Sequence, residues 1–202
     1  MEGQSMLHKG TFRADEAIRY LTEKIEFDTV LDIGAGEGLQ SQYFRDQGKT
    51  VTSTDLFGWD EGFVVGNYMD LEFEPHDVTW ASHMLEHQLN AHDFLKKVRK
   101  ETKVGGYTCI TVPPLKHEIV GGHVSVWNAG LMMYHLVLAG FNCNNARVKQ
   151  YGYNITVIAQ AEEFELPSNL EYDMGDIEKL KPWLPSIARQ GFNGNIKELN
   201  WS

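Results

Sequence analysis

The stretch Val30-Leu31-Asp32-Ile33-Gly34-Ala35-Gly36-Glu37-Gly38 decides the fold. An apolar, β-prone run delivers the chain into three glycines, and a helix-like segment follows as far as Gly48. Glycines at a strand-to-helix turn let backbone amides approach a ligand that side chains would hold off. Their spacing narrows the choice of ligand. A dinucleotide fingerprint sets its third glycine three residues after the second, but Leu39 stands there and the glycine falls at Gly38. A phosphate-cradling loop needs Gly-Lys followed by Ser or Thr, which the stretch lacks. The carboxylate of Asp32, two residues ahead of Gly34, is unhelpful to a pyrophosphate and suits a ligand with an ammonium group.

Working outward, Ala14, Ala17, Ile18, Leu21 and Ile25 recur at helical spacing, with Asp15 and Glu16 in the favourable first turn. Residues 29–33, 50–54, 62–66, 77–81 and 107–112 read as strands. Asn90 opens a helix with Asp93 as a partial capping box, Ala91, Phe94, Leu95 and Val98 share one face, and Gly105-Gly106 close it. Residues 125–139 read as a helix apolar nearly all round, and residues 141–149 and 154–161 as an antiparallel pair about Gly152. Strands alternating with helices specify an α/β fold, a parallel sheet with helices on both faces. From Glu162 onward the periodicity stops and Pro167, Pro182 and Pro185 intervene. The expected domains are therefore a body, 1–161, and a C-terminal extension, 162–202, with one short helix near 176–180, acting as a lid or an oligomer contact.

Two more acids fall in register with the glycines. Asp55 ends the second strand, where a carboxylate can accept both hydroxyls of a ribose. Asp70, after the third strand, is placed to accept from an adenine amino group. Sites for an amino acid, a ribose and an adenine thus occur in order along one sheet edge.

The string Asp32-Ile-Gly34-Ala-Gly36-Glu-Gly38 with Asp55 resembles the class I S-adenosylmethionine-dependent methyltransferases. The likeness continues through Ser82-His83-Met84-Leu85-Glu86-His87, residues 94–103 and Gly105-Gly106-Tyr107, and covers about residues 12–161. It implies a Rossmann-like, mostly parallel sheet of seven strands with one antiparallel, and S-adenosylmethionine as cofactor over the C-terminal ends of the first strands. Carried over by position, Asp32, Gly34 and Gly36 would line the methionine end, and Gly38 is also counted among the cofactor-binding residues. Asp55 would hold the ribose, Leu56 pack on the adenine, Asp70 meet its amino group, and Ser82 and His83 face the cofactor.

His83-Met84-Leu85-Glu86-His87 also matches the His-x-x-Glu-His pattern of inverted zinc peptidases. Such motifs lie inside a long helix, whereas this one sits where a strand ends, so it is read as pocket lining or helix-end polar groups and no metal is expected. The loop after the fifth strand is the candidate acceptor site. Pro113 and Pro114 stiffen it, Gly121 and Gly122 allow close approach, and His117, His123, Trp127 and Asn128 can grip a substrate. Against this stands a plain crossover with a helix cap at Ser125. Lys96, Lys97, Arg99, Lys100 and Lys103 read as the solvated face of their helix.

Composition bounds the partners. The chain's 202 residues carry 18 basic and 28 acidic side chains, a net charge of −10, which disfavours nonspecific nucleic-acid binding. Cys109 and Cys143 make no disulfide framework, and no signal peptide or membrane span is evident, so a soluble cytoplasmic protein is expected. The expected chemistry is in-line methyl transfer to a small polar acceptor, a sugar or nucleotide-sugar hydroxyl being the candidate. Alignment of donor and acceptor can contribute about 7–11 kcal/mol. A hydroxyl acceptor needs a general base, with His123 the first candidate and His117 the second. A non-catalytic nucleotide-binding protein and an NAD-dependent oxidoreductase are the alternatives, and a homodimer is possible.

Overall fold

The computed structural model describes residues 13–59 and 61–202. The reading of the first five residues as lacking a signal peptide lies outside them. Helix α1 (Asp15–Lys24) leads into β1 (Thr29–Ile33), the glycine turn, α2 (Leu39–Asp46) and β2 (Thr50–Asp55). There follow β3 (Val64–Val65), β4 (His76–Ser82), α3 (Ala91–Lys100), β5 (Thr102–Val112) and α4 (Ala129–Leu138). The hairpin β6 (Asn142–Tyr151) and β7 (Asn154–Gln160), a short helix α5 (Asp176–Leu180) and β8 (Glu198–Leu199) complete the order.

One sheet runs β3-β2-β1-β4-β5-β7-β6-β8. The first five in that order pair in parallel, and β7 is antiparallel to both β5 and β6. The sheet has eight strands rather than seven. The extra one is β8, which adds antiparallel to the open edge of β6 through Val148↔Leu199 and Lys149↔Glu198. It satisfies backbone groups that β6 would leave unpaired.

Alternation along the strands sorts the core into two layers. Val30, Val78, Trp80, Cys109 and Ile158 face α1 and α2, meeting Ile18, Leu21 and Phe44. Leu31, Ile33, Ala81, Ile110 and Val157 face the other way, meeting Phe94 and Val98 of α3 and Met133 and Leu136 of α4. Residues 162–202 contribute to this second layer, since Leu180, Leu184, Ala188 and Ile196 are buried in it. Both cysteines are buried and unpaired. Among the described residues no helix is long and apolar enough to cross a membrane.

Two boundaries differ from the sequence reading. Gly105 and Gly106 do not close α3 but lie inside β5, where the register against β4 shifts. A Cβ on Gly106 would come 2.5 Å from the Asp77 carbonyl oxygen, so glycine admits the close approach of the two strands. Helix α4 begins at Ala129 rather than at Ser125, because Asn128 is its N-cap and accepts from the Leu131 amide at 2.8 Å.

Candidate functional site

The strand order reverses between β1 and β4, so their C-terminal ends diverge and leave a crevice, the usual ligand site of open α/β sheets. The glycine turn fills one side of it. The amides of Gly34 and Ala35 both bond to the Thr54 carbonyl, at 2.9 and 3.0 Å, which ties the turn to β2. Gly34 has φ +72°, and a Cβ there would overlap the Met84 sulfur, so only glycine fits. A Cβ on Gly36 would meet nothing within 4 Å, so its open side is space for a ligand.

Two cavities of about 510 and 520 Å³ meet at Gly34 and His83. The first is lined by Arg13, the loop of Gly34 to Glu37, Gln40 and Ser82. The second is lined by Asp55, Leu56, Asn67, Tyr68, Met84 and His87. A larger cavity of about 870 Å³ opens at the opposite edge, against Phe27, Asp77 and Lys103 where the strands begin, and is remote from the crevice.

Of the expected cofactor residues, Gly34, Gly36, Asp55, Leu56, Ser82 and His83 line these two cavities. Asp55 Oδ2 accepts from the Gly36 amide at 2.9 Å and Oδ1 from the Phe57 amide at 3.1 Å. Gly38 (φ +77°) is the N-cap of α2. Asp32 turns under α2 and lines neither cavity. Arg45 Nη2 donates to Ser53 Oγ at 2.9 Å, and since arginine offers no acceptor, Ser53 passes its proton on to Ser41 Oγ at 2.7 Å. Ser41 in turn donates to Asp32 Oδ2 at 2.6 Å. Burial pushes the Asp32 carboxyl up to about 6, against the opposing pull of the Ser41 hydrogen bond and Arg45. Asp70 is exposed at the end of a 3₁₀ turn and lines neither cavity, whereas its neighbours Asn67 and Tyr68 do. Sequence reasoning misses Asn67 as a cavity residue, and Arg13 and Gln40 with it, because no spacing distinguishes them. Gln40 Oε1 accepts from Trp80 Nε1 at 2.9 Å, which fixes its amide at the cavity wall.

His83 closes β4 in the left-handed region (φ +57°), uncommon for a residue with a Cβ and stored here at the crevice. Its Nε2 lies 3.0 Å from Asn154 Oδ1, which also accepts from the Ala14 amide, so His83 Nε2 is the donor. Its ring stacks on Tyr153, 6.1 Å between centroids, and Lys116 Nζ lies over the Tyr153 ring at 4.3 Å from its centroid.

The loop after β5 meets this edge at Lys116, Gly122 and His123. His123 meets His87 edge to face at 4.9 Å between centroids. His117 is exposed on the loop and lines neither crevice cavity. Trp127 is buried, donating from Nε1 to Ser125 Oγ at 2.8 Å, and Asn128 caps α4. His123 also lines neither crevice cavity and reaches their edge through its ring contact with His87.

Fold and crevice together define a class I S-adenosylmethionine-dependent methyltransferase. The profile of the family described as "Methyltransferase domain" matches residues 6–139, and the chain belongs to that family. No curated protein matches the sequence. Among solved structures the chain is similar to 1,6-didemethyltoxoflavin-N1-methyltransferase of Burkholderia thailandensis, solved with 1,6-didemethyltoxoflavin and S-adenosylhomocysteine. That match has TM-score 0.63 and 19% identity over 74% of this chain and 78% of that one. A SAM-dependent methyltransferase from Archaeoglobus fulgidus gives TM-score 0.62 and 16% identity over 72% and 90%. The putative methyltransferase complexed with the Haloferax volcanii Trm112 activator gives 0.60 and 18% over 73% and 89%. At these identities the likeness shows the fold.

Proposed function

We propose that this chain methylates a hydroxyl of a small polar acceptor, a sugar or nucleotide sugar being the candidate class. The observation that carries the reading is the placement of the His87–His123 pair at the edge of the cofactor crevice, with His87 lining it. The net charge of −10 disfavours a nucleic-acid acceptor.

The crevice fits S-adenosylmethionine on its own features. Gly36 presents open space over the turn, and each Asp55 oxygen keeps a second lone pair for a ribose hydroxyl. Asn67 stands beside Asp55 to meet an adenine edge, and Arg13 offers the first cavity a cation for a carboxylate. When bound, the cofactor supplies an activated methyl on a sulfonium. The protein's part is alignment of the acceptor oxygen and removal of its proton, for which His123 and His87 are the groups at hand.

Calorimetry with S-adenosylhomocysteine and NAD, followed by transfer of labelled methyl to a panel of glycans, nucleotide sugars, amines and carboxylates, tests the reading. Tight binding of the first with labelled ether product supports it. Product on amines alone moves the acceptor class, and binding without any transfer leaves a binding protein.

A further inference from the structure

Glu86 is fully buried, and among the described residues neither of its carboxyl oxygens has a hydrogen-bond partner. Two imidazole nitrogens face it instead. His83 Nδ1 stands 3.2 Å from Glu86 Oε1 and His87 Nε2 stands 3.9 Å from it. The other nitrogen of each ring is already spoken for. His83 Nε2 donates to Asn154 Oδ1, and His87 Nδ1 donates to the Gly122 carbonyl at 2.8 Å. With those nitrogens used as donors, only His83 Nδ1 and His87 Nε2 remain to meet the buried carboxyl, and neither makes a hydrogen bond to it. A buried carboxyl without a partner is costly, so the site calls for a group to satisfy it. His123 approaches the same point, and one ligand atom each from Glu86, His87 and His123 all lie within 4.8 Å of one another.

We infer that Glu86, His87 and His123 bind a divalent first-row transition-metal ion, Zn²⁺ in the first instance. Two imidazoles with one carboxylate suit such an ion, whereas Mg²⁺ and Ca²⁺ prefer oxygen alone. The ligand set differs from the His83/His87 pairing that the sequence pattern suggests, because β4 ends at Ser82 and His83 turns to Asn154. The Nδ1–H bond of His87 to a backbone carbonyl is the outer-shell support that metal-ligating histidines usually have. Bonds near 2.1 Å in a tetrahedral site set ligand atoms about 3.4 Å apart, so the atoms must close by about an ångström. His123 sits on the loop beside Gly121 and Gly122, both of them exposed.

Resting on the methyltransferase reading, the ion serves the acceptor rather than the donor. Held by these three side chains, the ion would have room for an acceptor hydroxyl as a further ligand and would favour loss of that hydroxyl's proton to solvent. The oxygen lone pair forms the new bond to the methyl carbon, and the carbon–sulfur pair returns to sulfur to give the thioether. His123 would then promote loss of the acceptor proton as a ligand of the ion, in place of the direct base role proposed above.

The full-length protein, freed of metal with a chelator, is titrated with Zn²⁺ by calorimetry and with Co²⁺ by visible absorption, with S-adenosylhomocysteine titrated on the same samples. One equivalent of ion is expected, with a d–d absorption band for Co²⁺ and affinity at least tenfold weaker in Glu86→Gln and in His123→Ala. No stoichiometric binding, or binding that both substitutions leave unchanged, overturns the site. Should Glu86→Gln fail to fold, His123→Ala on its exposed loop decides alone. Failure of S-adenosylhomocysteine to bind overturns the methyltransferase reading, and with it the ion's role in transfer, while the metal titration is read separately.

Discussion

The Gly36 amide donates to Asp55 Oδ2 at 2.9 Å, so the glycine turn after β1 and the end of β2 form one unit rather than two neighbours. The Phe57 amide completes the carboxylate's backbone bonds at 3.1 Å. Asp55 therefore shapes the turn, and in the proposed reading its remaining lone pairs would take a ribose.

Replacing Asp55 by alanine should thus do double damage. Hydrogen bonds to a charged group contribute about 1.5–3 kcal/mol each, so loss of one ribose contact predicts S-adenosylhomocysteine binding about 10- to 100-fold weaker by calorimetry. Asp55→Asn, which keeps an acceptor oxygen, should fall between. An unchanged Kd in the alanine variant would place the ribose elsewhere.

Gly34 carries a second prediction. Its φ is +72° and the Met84 sulfur occupies the place a Cβ would take, so Gly34→Ala should strain the turn and displace Met84. Left-handed backbone alone costs about 1–2 kcal/mol for a residue with a Cβ. Shortening the neighbour in a Gly34→Ala/Met84→Ala double variant relieves the clash but not the backbone strain. Thermal melts should show partial recovery of stability, and complete recovery would mean that the backbone is free to relax.

The fold was legible in the sequence wherever local pattern and tertiary context agree. The run into Gly34, the Asn90 cap and the hairpin about Gly152 all reappear, Asn90 Oδ1 accepting from the Asp93 amide at 3.2 Å. The pattern misleads where glycine serves two purposes, as at Gly105-Gly106, which looks like a helix stop and proves to admit a close strand. Strand β8 is two residues long and depends on the β6 edge for its existence, so no periodicity announces it. In the site, the spacing of glycines and Asp55 was readable because backbone geometry enforces it. Asn67 and Arg13 reach the cavities through loops, and the unpartnered carboxyl of Glu86 appears only once His83 and His87 are given their partners.

Asp32 predicts a pH dependence. Its carboxyl titrates near 6 in the folded protein against 3.8 for the free side chain, and desolvation is the main cause. Between those values the native state holds the proton that the unfolded chain has released, so this group lowers stability as pH rises from about 4 to about 6. At 1.36 kcal/mol per unit the loss amounts to about 3 kcal/mol above the folded value, and none remains below the unfolded one. Asp32→Asn keeps the Ser41 bond and removes the titration. Urea unfolding should show the variant gaining on wild type at pH 7.5 and losing that gain at pH 3.5, and a gap independent of pH would reject the assignment.

Asn128 separates a cap from a substrate contact. Its Oδ1 accepts from the Leu131 amide at 2.8 Å, so Asn128→Ala should destabilise the protein by about 1 kcal/mol. Asn128→Ser or Asn128→Asp, which can still cap, should recover most of that. If Asn128 also grips the acceptor, the aspartate variant will restore the melting temperature while KM stays raised. If the side chain is only a cap, KM will follow stability and return to the wild-type value with both replacements.

The C-terminal segment invites the remaining test. Leu180, Leu184, Ala188 and Ile196 are buried with α4 and the β6–β7 hairpin, and the Gly130 amide bonds to the Gly194 carbonyl at 2.9 Å. A segment that only closes over a ligand has little such burial to lose. Truncating a buried leucine to alanine costs about 2–5 kcal/mol, so Leu184→Ala should lower the stability measured by urea unfolding by that amount whether or not S-adenosylhomocysteine is present. A lid would behave otherwise, leaving the unliganded protein's midpoint unchanged and weakening only the ligand-induced stabilisation. Because Leu184 is 1% exposed within the chain, we expect the first pattern, with the slope of the unfolding transition retained.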